Sequence, residues 1–322
     1  MNIIRNICLT VLFIFTTIYL FSQARYFGER YITTQAYINP VLVNPGAVGN
    51  GDFHRLIGNY RSNWSSFPGS PKSYWLSYDG SVGNRIGLGG LILSDTSGDL
   101  KTTKGQGTIS YTIDSPTNKL GFGLSGEFIQ HSLNGSALSN PLNGIDDPEI
   151  ANRLDGVQFF DVSFGIYGLY NNNITYGLVL PSLVSSRLDE SNNSTFENEF
   201  GYIAHVGYLW DVDGYDMKLE PSVFIKQLNY VPLHIDLNLI GRFLDDKLLG
   251  GISYTIGADE RFGFSIGTRI DALNFTYSYN VSRNQFQSYN NGGHEFSFKV
   301  DIGRKEKVAD VENMEMMKED QM

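Results

Sequence analysis

Cysteine is almost missing from this chain: Cys8 is the only one in 322 residues. No disulfide frame and no thiolate metal site can therefore organise the fold. Positive charge is scarce too. The 24 Lys and Arg residues face 34 Asp and Glu, and a net charge of -10 argues against nucleic acid as a partner. Long apolar runs are absent after residue 22, so no later stretch supplies the ~20 apolar residues of a membrane helix. Paired histidines are absent as well. His54, His131, His205, His234 and His294 have no histidine two or four residues away, so the spacing of a metal site is not met. No serine sits in a nucleophile-elbow motif. Gly87, Gly89 and Gly90 lie in an apolar strand pattern with no helix suggested behind it, which points to strand packing rather than a phosphate-binding loop. Neither a catalytic centre nor a cofactor is expected.

What the chain does have is aromatics and glycine: 19 Tyr, 21 Phe and 35 Gly. Its mean hydropathy is close to neutral at -0.18. Alternation accounts for that average. Between 272 and 302, Leu273, Phe275, Tyr277, Tyr279 and Val281 share one face, and Asn274, Thr276, Ser278 and Asn280 share the other. Phe296, Phe298, Val300 and Ile302 then alternate with Glu295, Ser297, Lys299 and Asp301. Period two over this length is β-strand. A face that is wholly apolar and aromatic, backed by one that is charged, suits a wall between lipid and a polar lumen.

The pattern recurs to the end of the chain. It predicts about fourteen strands, near 54–62, 72–80, 85–94, 106–113, 119–130, 158–170, 173–180, 199–210, 215–226, 233–244, 247–256, 261–270, 272–281 and 293–302. Pro221 removes a ladder donor and is expected at a bulge or near a rim. Connections after the even strands are short, and those after the odd strands are mostly long: 61–71, 94–105, 131–157, 181–198 and 282–292. The stretches 227–232 and 257–260 are the shorter exceptions. Tight turns at one end and long loops at the other are the signature of an outer-membrane barrel, and an even strand number puts both termini on the periplasmic side.

The expected layout is therefore a signal peptide at 1–22, an N-terminal segment at 23–52, an antiparallel transmembrane β-barrel at 53–303 and a polar periplasmic tail at 304–322. The signal peptide reading rests on Arg5 and the apolar run from Ile7 to Phe21, with an uncleaved anchor as the alternative. Asn39-Pro40, Asn44-Pro45, Gly46 and Gly49 are turn signals, so the segment before the barrel leads into the sheet or plugs it. The tail is either a solvated end or a docking helix, with Val308, Val311, Met314 and Met317 at roughly helical spacing. Glu127, Asp161, Lys226, Asp236, Arg242, Glu295 and Lys299 sit on polar faces. They predict internal salt bridges or, as the alternative, a water-filled pore.

Several short motifs in order carry a resemblance. Gln35, Tyr37, Asn39 and Pro40, followed by Asn44, Pro45, Gly46, Ala47 and Gly49, open it. Tyr60, Arg61, Asn63, Trp64, Phe67, Gly69, Pro71 and Lys72 come next. Asp147-Pro148, Leu180-Pro181-Ser182-Leu183, Glu220-Pro221-Ser222 with Lys226, Pro232 to Asp236, Gly250 to Tyr254, Tyr277-Ser278-Tyr279 and Gly292-Gly293-His294-Glu295 complete it. Together they resemble the PorP/SprF family of the type IX secretion and gliding-motility machinery of Bacteroidota. Gly46 stands where proline is expected, and Gly293 where threonine is.

The resemblance implies a non-enzymatic outer-membrane barrel that supports export or surface retention of a secreted adhesin bearing a C-terminal secretion domain. Its implied partners are outer-membrane lipid, that adhesin, a periplasmic peptidoglycan-associated lipoprotein and the type IX motor or ring. The residues singled out for partner binding or structure are Asn39, Pro40, Asn44, Pro45, Asn63, Trp64, Pro71, Lys72, His294 and Glu295. The alternative is a passive diffusion porin. An outer-membrane hydrolase built on His294 and Ser288 is the remotest reading.

Overall fold

The computed structural model describes residues 33–51, 53–83, 85–133, 156–184, 186–187, 201–212, 214–228, 232–257, 260–283 and 285–304. The expected signal peptide at 1–22, residues 23–32 and nearly all of the expected tail lie outside the described residues.

The alternating stretches pair into one sheet. Its strands are β1 (Phe53–Ser62), β2 (Lys72–Val82), β3 (Ile86–Ser97), β4 (Leu100–Asp114), β5 (Asn118–Leu133), β6 (Val157–Tyr170) and β7 (Ile174–Leu180). After the two-residue β8 (Ser186–Arg187) come β9 (Tyr202–Tyr208) and the short β10 (Trp210–Asp211). Then follow β11 (Met217–Gln227), β12 (His234–Phe243), β13 (Leu248–Ile256), β14 (Arg261–Ile270), β15 (Leu273–Ser282) and β16 (Gly293–Arg304). Every pairing is antiparallel. β1 pairs with both β2 and β16, and β9 pairs with both β7 and β11, so the sheet closes on itself. Among the described residues, fourteen long strands make the wall. β10 continues β9 in the same register, and β8 lies beside β6. Closure leaves no sheet edge in the hydrocarbon, which is what a membrane demands of strands.

Pro221 explains the gap between β9 and β10. It pairs with Leu239 on β12 without a register shift. On its other side the ladder lapses at Tyr208 and Leu209, the positions opposite Pro221 and Glu220, while the Leu209 N–H keeps to the β7 side and donates to the Asn173 carbonyl at 2.7 Å. The missing donor is thus placed where the wall meets a tight turn.

Alternation sorts the faces as lipid requires. Phe264, Ile266, Phe275, Phe296 and Phe298 are exposed outward, while their neighbours Ser265, Ser278, Glu295 and Ser297 are buried inward. The charged positions on the polar faces do meet inside the barrel. Lys104 pairs with Glu127 at 2.9 Å, Lys226 with Asp236 at 2.6 Å, Arg242 with Glu220 at 2.8 Å and Arg55 with Asp79 at 2.5 Å.

Two expectations need correction. The stretch 94–105 is not a long loop: β3 runs to Ser97, β4 starts at Leu100, and only Gly98 and Asp99 turn between them. This hairpin projects beyond the lipid, so neither face needs to be apolar and the alternation that marks a membrane strand is lost. The lumen is also not uniformly polar. Ile57, Trp75, Leu91, Leu93, Val179, Ile203, Phe224 and Ile240 all point inward and are buried. They pack on Ala36, Tyr37, Leu42 and Val43, because the segment ahead of β1 lies inside the barrel.

Candidate functional site: the lumenal segment and the outer rim

Residues 38–50 form a floor near the tight-turn end. Asn39-Pro40 opens a 3-10 turn, Pro40–Leu42, and Asn44-Pro45 opens a second, Pro45–Ala47. Proline fits the first position of such a turn, since its fixed φ suits the bend and the donor it lacks has no partner there. The two asparagines differ. Asn39 makes no side-chain cap, and its backbone N–H donates to the Gln35 carbonyl at 3.0 Å. Asn44 is fully buried. Its Oδ1 accepts from the Gly46 N–H at 2.9 Å, and its Nδ2 donates to the Ile166 carbonyl of β6 at 2.8 Å.

The wall beneath this turn is made of glycine. A Cβ placed on Gly46 would lie 2.7 Å from the Gly121 carbonyl oxygen, 2.8 Å from the Tyr167 nitrogen and 2.9 Å from the Gly165 oxygen. Cβ atoms on Gly121 or Gly123 would strike the backbone of Gly46 or Pro45, and one on Gly87 the carbonyl of Val48. Backbone cannot rotate away as a side chain can, so these positions admit only glycine. The departure at Gly46 from the expected proline thus has a reason in this chain. Around the socket, Ser110 donates to the Val48 carbonyl at 2.5 Å, Lys119 to that of Asn50 at 2.5 Å, and the Gly49 N–H donates to Asp79 at 3.0 Å.

Residues 33–37 climb from this floor along β13 to β16, toward the long loops. Glu295, fully buried, anchors them. Its Oε1 accepts from Thr33 Oγ1 at 2.5 Å and from Asn59 Nδ2 at 3.0 Å, and its Oε2 accepts from the Thr34 N–H at 3.1 Å. Donors of this kind make burial of a carboxylate tolerable. Gln35 donates to Ser278 at 3.1 Å and accepts from Ser297, Asn280 donates to Thr34 at 2.7 Å, and Tyr37 meets Ser265 at 3.1 Å. His294 is not part of this set. Strand alternation turns it to the outer face, where its Nδ1 lies 2.8 Å from the Tyr277 hydroxyl and its ring packs on Tyr279. Adjacent in sequence, His294 and Glu295 serve opposite sides of the wall.

The remaining singled-out residues belong to the rim of long loops. The Asn63 N–H donates to the Pro71 carbonyl at 3.0 Å, closing the β1–β2 loop. Trp64 and Ser66 take left-handed conformations, φ 51° and 72°, which β-carbon-bearing residues rarely adopt. Ser65 exchanges backbone hydrogen bonds of 2.9 Å with Gly292 and Asn291 of the β15–β16 loop, and Gly69 accepts one of 2.9 Å from Gly98 on the β3–β4 turn. Three connections are thereby tied together and hold Trp64, Phe67 and Tyr289 exposed at the surface. Lys72, the first residue of β2, is exposed on the outward face. Sequence reasoning missed Thr33, Ser110, Lys119 and the glycine socket, and it named Gln35 only as part of a motif. The available signal was glycine recurring at inward positions of β3, β5, β6 and β7.

The sequence profile described as type IX secretion system membrane protein PorP/SprF matches residues 27–300. That span covers most of the chain and contains every wall strand except the last four residues of β16. The chain belongs to the PorP/SprF family. As a member of that family it is an outer-membrane β-barrel component of type IX secretion, and it is associated with that machinery. No curated protein sequence matches this PorP/SprF-family chain. Solved structures of similar fold include the CymD monoaromatic hydrocarbon channel, 12% identical with a TM-score of 0.51 over 85% of this chain and 94% of that one. A Pseudomonas aeruginosa FadL homologue is 12% identical, TM-score 0.48, over 81% and 93% of the two chains. Acinetobacter baumannii Omp33 is 9% identical, TM-score 0.47, over 78% and 100%. At these identities the likeness concerns the barrel fold alone.

Proposed function

We propose that this PorP/SprF-family protein is a non-enzymatic accessory that captures or anchors a secreted adhesin-type protein, through that protein's C-terminal secretion domain, at the external rim. The observation that carries the reading is the division of the barrel into a filled interior and a braced rim. The lumen is occupied from the level of Glu295 down to the glycine socket, while three connections hold Trp64, Phe67 and Tyr289 toward solvent. Passive diffusion through the lumen needs a continuous aqueous path, and a segment fastened to the inner wall stands in that path. In this reading Asn63, Trp64, Pro71 and Lys72 shape the contact surface. Asn39, Pro40, Asn44, Pro45 and Glu295 keep the interior closed, and His294 braces the aromatic belt. The mature chain starts after residue 22, residues 23–52 act as lead and plug, and the tail from 304 meets a periplasmic peptidoglycan-associated lipoprotein or the motor ring.

The test is purification in mild detergent with mass spectrometry of bound proteins, beside conductance in planar bilayers. Recovery of a secreted protein carrying a type IX C-terminal domain, lost on Trp64→Ala, together with a silent bilayer, supports the proposal. Steady conductance with no such protein recovered replaces it with the porin reading.

A further inference from the structure

The outer wall carries an apolar groove that partner capture does not explain, although Lys72 at its rim belongs to both readings. Barrel exteriors are convex, yet here the lipid-facing surface is indented over the seam where the first and last strands meet. Outward side chains of β13 to β4, among them Ile266, Phe275, Phe298, Leu76 and Ile92, line one groove of about 920 Å³. Gly58 lies at its centre with the Phe298 ring folded over it, where any β-carbon would collide with that ring. The volume is at the upper end of the ~300–1,000 Å³ typical of ligand sites, and the lining is almost wholly apolar.

The rim above this groove is basic. Lys72 on β2 pairs in register with Thr96 on β3, and Thr96 with Lys101 on β4. The three form one outward row at the long-loop end, directly above the row of Tyr74, Ser94 and Thr103 that lines the groove. Both lysines are exposed, and neither ammonium is paired with a carboxylate among the described residues. Asp95, the carboxylate between them on β3, faces the lumen, where it accepts a hydrogen bond from Ser73. In a chain of net charge -10, two unopposed cations above an apolar slot mark a place for an anion attached to hydrocarbon. Long loops mark the external side, so the adjoining lipid is that of the outer leaflet.

We infer that this groove binds a phosphorylated, multiply acylated glycolipid of the outer leaflet, the lipid A part of lipopolysaccharide. Acyl chains fill the indentation over Gly58, and a phosphate sits between Lys72 and Lys101. The site lies on the lipid side of the wall and makes no use of the lumen, so it stands whether or not the adhesin reading holds.

The experiment is native mass spectrometry of the full-length, detergent-purified protein after addition of lipid A, dephosphorylated lipid A or phosphatidylglycerol. The wild type should retain one lipid A. K72Q/K101Q should lower that retention about tenfold or more, as loss of charge-assisted bonds to phosphate implies. Removing the phosphates should act likewise, and Ile92→Trp, which fills the groove, should abolish retention. K72Q/K101Q changes exposed rim side chains, and unchanged heat-modifiable gel mobility confirms that each variant is folded. No retention by the wild type, equal retention by all variants, or displacement of lipid A by phosphatidylglycerol overturns the inference.

Discussion

Asn44 shows how much one buried side chain can decide. Its carbonyl oxygen accepts from Gly46, and its amide donates to Ile166 on the wall, so it shapes the turn and fastens it at once. Asn44→Ala should cost about 1–3 kcal/mol by stranding both partners. Asn44→Asp should cost more, because the second oxygen would face the Ile166 carbonyl at the same short distance and bring a charge into a buried site. Denaturant midpoints of the two variants, read by gel mobility of the folded barrel, check that order. Gly121→Ala should destabilise by about 1–3 kcal/mol even though only a methyl group is added, since the atom in its way is the Gly46 carbonyl oxygen. A midpoint equal to the wild type would mean that the segment does not press on this wall. The Asn-Pro pairs were visible in the sequence as turns. Their seat was not, because a glycine in a strand reads as weakness or a bulge until the chain it touches is known.

Each strand answers to two solvents. Phe264 on β14 points at lipid, and its neighbour Ser265 meets Tyr37 inside. Phe264→Arg should therefore cost about 2–4 kcal/mol near the bilayer midplane. Ser265→Ala should cost only about 0.5–1.5 kcal/mol, the worth of one hydrogen bond. Reversible unfolding in lipid vesicles separates the two, and equal effects would put β14 outside the membrane. Strand positions were legible in the sequence because lipid enforces alternation residue by residue. The β3–β4 hairpin was misread as a loop where that enforcement stops, beyond Ser94. Pro221 was legible as an interruption, and it interrupts the ladder on the β9 side alone.

At the scale of the whole molecule, the barrel is built around its own N-terminal segment. Removing residues 33–50 in frame should leave a barrel that still inserts. It should also open a conducting lumen, with inward residues such as Ile57, Leu91 and Ile240 losing their cover. Single-channel recording of wild type and deletion checks this, and a silent deletion variant would mean that other parts of the chain close the pore. The sequence by itself determined the closed antiparallel wall and its strand number, because hydrocarbon outside and paired backbone groups within leave few ways to arrange alternating strands. Only the tertiary structure decided what fills the wall. Period two tells which face a residue is on. It cannot tell that Ile57 and Trp75 face inward to receive Leu42 and Val43, or that Glu295 waits for Thr33 more than two hundred residues away, because those contacts exist only once the ring has closed.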